Sequence, residues 1–98
     1  MPHVFEIRDQ FGRTVYLSRE RWSHINQEHP EVAPFLEHIK QALESPDSFN
    51  KSNFDENVIY YYNYFKSKDN GAKYLLVIVK YLNAHGFIIT AYFVKHIT

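Results

Sequence analysis

Two tight-turn signals set between three runs of strand-forming residues dictate half of the fold. Residues 58–65 are almost entirely β-branched and aromatic, and residues 73–82 and 87–96 are two more runs of that kind. The joints between them are Lys68-Asp69-Asn70-Gly71 and Asn83-Ala84-His85-Gly86. Asn-Gly is the strongest short-range hairpin signal, because both residues accept the positive φ that a type I′ turn requires. Three strands joined in this way form an antiparallel meander. A two-residue Asn70-Gly71 loop pairs Asp69 with Ala72, and that register continues to Tyr64 opposite Val77 and Tyr62 opposite Val79. The second turn pairs Val79 with Thr90 and Val77 with Tyr92. Alternation then predicts two faces. One carries Tyr60, Tyr62, Tyr64, Val77, Val79, Tyr81, Ile88, Thr90 and Tyr92. The other carries Ile59, Tyr61, Phe65, Leu76, Ile78, Lys80, Ile89, Ala91, Phe93 and Lys95. The second has the aliphatic bulk to pack a helix, so the hydroxyl-lined first face is expected to be open.

The N-terminal half supplies the rest. Residues 4–8 alternate like a strand, residues 9–13 make a turn, and residues 14–17 return as a second short strand. Ser18 is an N-cap signal, with Glu20 in the first turn of a helix over Arg19–Glu28. Pro30 stops that helix. A second helix is predicted over 31–44, where Val32, Phe35, Leu36, Ile39, Ala42 and Leu43 follow the helical period and Pro34 falls in the first turn. Ser45-Pro46-Asp47 ends it. A further, weak strand is expected within 49–54. The class is α+β: an N-terminal β-hairpin, two helices on one side, then a meandering antiparallel sheet of three to four strands.

Composition narrows the function classes. The chain has 98 residues and 11.7 kDa, which suits one domain over residues 1–98. Eleven Lys and Arg balance eleven Asp and Glu, so binding to nucleic acid through bulk charge is excluded and a local cationic patch is needed. With no Cys, disulfides, thiolate catalysis and Cys-based zinc sites fall away. The longest apolar run, 74–79, is too short to span a bilayer. Residues 1–8 carry charges and no apolar core of a signal peptide. A soluble cytoplasmic protein with no membrane partner is the expectation.

The chemistry must come from the remaining side chains. His24 and His29 lie about 140° apart around a helix, so both rings cannot meet one metal, and no metal or cofactor is expected. Acid–base chemistry by His, Tyr, Lys and carboxylates remains. RNA cleavage suits that set, because the 2′-OH is a built-in nucleophile and the protein need supply only a base, an acid and charge for the phosphorane. The candidate catalytic residues are His24, His29, Thr90 and Tyr92. The candidate substrate-binding residues are the cations Arg21, Lys80 and Lys95, together with Tyr62 as a base platform. Plainer readings stand beside these. His29 before Pro30 also serves to end a helix, tyrosine rows more often pack sheets, Lys95 also guards an edge strand, and His3, His38 and His96 read as exposed or terminal.

Two stretches are more specific than their parts. The first is Arg21-Trp22-Ser23-His24-Ile25, then His29-Pro30-Glu31-Val32, then a helix ending in Ser45-Pro46-Asp47. The second pairs Tyr74-Leu75-Leu76-Val77-Ile78-Val79-Lys80 with Phe87-Ile88-Ile89-Thr90-Ala91-Tyr92. Across roughly residues 18–95 the chain resembles the phage and bacterial nuclease-like domains grouped with barnase, EndoU, the tRNase colicins and RelE, the BECR group. That resemblance implies a BECR-like fold and metal-independent, toxin-like or mobile-element-derived endoribonuclease activity on RNA, tRNA or mRNA among its substrates. It implies an antitoxin or immunity protein as partner. His24 matches the helix histidine, His29 the second histidine, Thr90 and Tyr92 the polar pair of the last strand, and Lys80 a looser position. Neutral charge departs from the basic balance of free-standing RNA-cleaving toxins. The alternative is a catalytically inactive module of the same fold, which binds a protein partner or homodimerises through its Tyr-rich sheet face.

Overall fold

The computed structural model describes residues 3–66, 68 and 71–97. The elements are β1 (His3–Arg8), β2 (Thr14–Ser18), α1 (Arg19–Glu28), a 3-10 helix (Pro30–Phe35), α2 (Leu36–Glu44), β3 (Ser48–Lys51), β4 (Val58–Tyr64), β5 (Tyr74–Leu82) and β6 (His85–Val94). The strands join in one six-stranded sheet, in the order β1-β2-β6-β5-β4-β3. The α+β class and the order of elements along the chain are as the sequence predicts. The sheet itself is mixed. Thr14, Val15 and Tyr16 pair in parallel with His85, Gly86 and Phe87, so the N-terminal hairpin is an extension of the meander rather than a separate piece. Of the weak strand expected over 49–54, only residues 49–51 fall in the short edge strand β3, which begins at Ser48 and ends at Lys51.

α1 forms over the predicted residues. Ser18 Oγ accepts the Arg21 N–H at 3.0 Å, which satisfies one of the orphan donors of the first turn. His29 closes it by donating its N–H to Ile25 O. The second helix differs from expectation, because Pro30–Phe35 is 3-10 and only Leu36–Glu44 is α. Pro34 has no N–H, and in an α-helix its ring would press on the carbonyl four residues back. α2 then buries Ile39, Ala42 and Leu43 against the sheet.

The register of the meander corrects the prediction from the turns. Tyr64 lies opposite Tyr74, Tyr62 opposite Leu76 and Tyr60 opposite Ile78, three residues away from the register that a two-residue loop demands. The predicted Asp69–Ala72 pair involves Asp69 and Asn70, which lie outside the described residues. Pairing extends to the Phe65 N–H on Lys73 O, and Lys73 Nζ ties the connection by donating to the carbonyls of Lys66 and Lys68. An odd shift exchanges the faces of one strand relative to its neighbour. Between β5 and β6, Ile78 pairs with Thr90 and Val79 with Ile88, so Ile89 is a bulge; Thr90 and Tyr92 lie opposite Ile78 and Leu76, each one residue along β5 from the predicted Val79 and Val77.

Burial explains why this register wins. Ile59, Tyr61, Leu75, Val77, Val79, Tyr81, Ile88 and Ala91 share the core face with Ile25, Val32, Ile39 and Leu43 from the helical side. Val77, Val79, Tyr81 and Ile88, predicted on the open face, are therefore core residues. Leu76, Ile78 and Lys80, predicted to pack the helix, stand on the other face with Tyr60, Tyr62, Tyr64, Thr90 and Tyr92.

A polar cluster closes one end of the core. Asp9 Oδ1 accepts the N–H groups of Phe11 and Arg13, and Oδ2 accepts the Tyr81 hydroxyl at 2.6 Å. The Tyr81 oxygen in turn receives the Tyr61 hydroxyl at 2.7 Å. The Arg13 guanidinium lies 3.7 Å from the Tyr81 ring centroid. Burial, then donation to Asp9, pushes the Tyr81 phenol far above its ordinary range. Burial also raises that of Tyr61. Among the described residues no helix is long and apolar enough to cross a membrane.

Candidate active site

β2 pairs with β6 only at residues 85–87. Past that point α1 and the 3-10 helix pack against β6, and this brings the end of α1 to the last strand. The His29 imidazole stacks on the Tyr92 ring, with centroids 4.7 Å apart and planes 18° from parallel. His29 Nδ1 is 3.8 Å from Glu31 Oε2. The side chain keeps 31% exposure, so the ring is packed without being sealed. The junction geometry follows from the sequence. Pro30 ends α1 and cannot continue it, and the following 3-10 turn swings Glu31 back toward the imidazole.

Tyr92 also lines a depression of about 330 Å³ on the open sheet face. Tyr60, Tyr62, Leu76, Ile78, Val94, Lys95 and His96 line it as well. Thr90 stands two residues before Tyr92 on the same face, opposite Ile78. Tyr92 thus links two sets of groups: it touches the imidazole of His29, which Glu31 backs, and it shares the lining of the depression with the ammonium of Lys95 and the second imidazole of His96. Such a set can accept a proton, return one and offset phosphate charge.

The other sequence candidates lie apart from it. His24 is exposed on α1 and lines a separate hollow of about 190 Å³ with Ser18, Glu20 and Arg21. Arg21 also borders a third depression, at the β2–β6 junction. Lys80 Nζ is held 2.8 Å from Asp55 Oδ2, and this hydrogen bond keeps the Asp55 carboxyl below the ordinary carboxylate range. Its charge is therefore already matched. Tyr62, expected as an exposed base platform, is only 1% exposed. It lines the depression but has no free ring face. Glu31 and His96 were not among the sequence candidates. The His29-Pro30-Glu31 spacing was the available signal for the first; His96, one residue past Lys95, had none beyond its type. Among the described residues no group of three or more His, Asp or Glu side chains could hold a metal ion.

Comparison with known proteins finds no relative: no family model, no curated protein and no solved structure matches this chain.

Proposed function

We propose that the protein is a metal-independent endoribonuclease that cleaves RNA at the depression beside His29 and Tyr92. The observation that carries this reading is the helix-end imidazole of His29 stacked 4.7 Å from the ring of Tyr92, the residue that also lines a depression together with Lys95 and His96. In this reading His29 takes the proton from the 2′-OH. The 2′ oxygen forms a bond to phosphorus, the bond from phosphorus to the 5′ oxygen breaks, and His96 gives a proton to that leaving oxygen. Lys95 offsets the charge on the phosphorane, and the Tyr92 and Thr90 hydroxyls orient the phosphate. Glu31 positions the His29 ring. The BECR resemblance, with its toxin-like character and implied antitoxin, points to the same reaction class.

The products are then a 2′,3′-cyclic phosphate and a 5′-hydroxyl. End-group analysis of a defined RNA incubated with the protein in the presence of a chelator tests this. Those two ends are expected, and ends with a 5′-phosphate would refute the mechanism. A second reading is favoured by the aromatic character of the open face, where Tyr64 is 49% and Phe87 42% exposed: a non-catalytic module that binds a partner there. Absence of any cleavage, with a tight dimer in sedimentation, selects that reading.

A further inference from the structure

We infer that the β2–β6 junction holds a second nucleotide subsite, which takes a base and phosphate of the same single-stranded RNA at a distance from the cleaved bond. This rests on the ribonuclease reading and deepens it. A depression of about 450 Å³ opens there, bordered by His3, Tyr16, Arg21, Phe87 and Ile89. Tyr16 is a fixed element of it. His3 stacks on its ring at 4.6 Å, and its hydroxyl reaches His85 Nδ1 at 3.3 Å. Phe87 is 42% exposed and presents a stacking surface, which any base can use. Arg21 is exposed and forms no ion pair among the described residues, so its guanidinium is available to a phosphate. His3 Nδ1 is shielded from solvent and has no hydrogen-bond partner among the described residues, an unmet polar group beside the depression. In this subsite the phosphate meets Arg21 and the base stacks on Phe87.

Distance sets the substrate length. Phe87 and Tyr92 lie five residues apart on β6, about 16 Å along a strand. A stacked single strand advances about 3.4 Å per nucleotide and an unstacked one further, so about three to five nucleotides separate the two subsites. A dinucleotide cannot occupy both.

The test uses the full chain and a fluorescent ten-nucleotide oligo-deoxyadenosine, which has no 2′-OH and cannot be cleaved. Wild type is expected to bind this strand more tightly than the deoxyadenosine dinucleotide. Phe87→Ala is expected to weaken decamer binding about tenfold and to remove the preference for the decamer. Arg21→Gln is expected to weaken it and flatten its salt dependence. A thermal melt confirms that each variant folds. Decamer binding equal to wild type in both variants, or no decamer binding by wild type, overturns the subsite. Phe87-dependent binding without cleavage of the matching RNA decamer upholds the subsite and sinks the nuclease reading. Cleavage of RNA decamer and dinucleotide with equal efficiency does the reverse.

Discussion

At the scale of single residues, the polar cluster and the candidate site illustrate opposite uses of a tyrosine. The Tyr81 hydroxyl is committed to Asp9 inside the core. Tyr81→Phe leaves Asp9 Oδ2 without that donor and is expected to cost about 1–3 kcal/mol in urea unfolding. Its folded-state phenol titrates above the ordinary value of about 10, so the folded protein holds a proton that the unfolded chain releases. Stability is full below about pH 10 and falls as pH rises beyond it. Tyr81→Phe should flatten that alkaline decline, and an unchanged pH profile contradicts the account. Tyr92, by contrast, meets His29 at the edge of the open face. Both were legible as candidates from residue type and spacing. Glu31 had only the His29-Pro30-Glu31 spacing to mark it, since its approach to His29 depends on the 3-10 turn, which no periodicity in residues 31–44 announces.

Elements were legible where local chemistry decides them. Ser18 and Pro30 mark the ends of α1, and both act as expected. The β4–β5 register was not legible. The Asn-Gly signal describes only the turn, whereas the pairing obeys the need to bury Leu75, Val77 and Val79 with Ile59 and Tyr61. The parallel β2–β6 contact leaves no short-range mark beyond one glycine. Gly86 is required there, since a Cβ would sit 2.7 Å from the Tyr81 ring. Gly86→Ala is expected to destabilise the protein by about 1–3 kcal/mol through overpacking. A melting temperature equal to wild type would show that the strand and the ring can move apart.

For the whole molecule, one face of the sheet packs both helices and the other carries the depression lined by Tyr60, Tyr62 and Tyr92. With zero net charge, the proposed RNA substrate would have to be held by a few local cations. If Arg21 and Lys95 each meet one phosphate, as the proposed reading requires, the log of the RNA affinity is expected to fall with log salt at a slope near −1 to −2. A slope several times steeper would mean a broad basic surface, which this chain does not have. The central claim is that His29 and Tyr92 work as one catalytic unit. The direct measurement is the single-turnover RNA cleavage rate of His29→Ala, Tyr92→Phe and the double variant. Large losses in both single variants, with the double no slower than the slower of the two, are predicted. Near-wild-type cleavage by His29→Ala and Tyr92→Phe alike would contradict it.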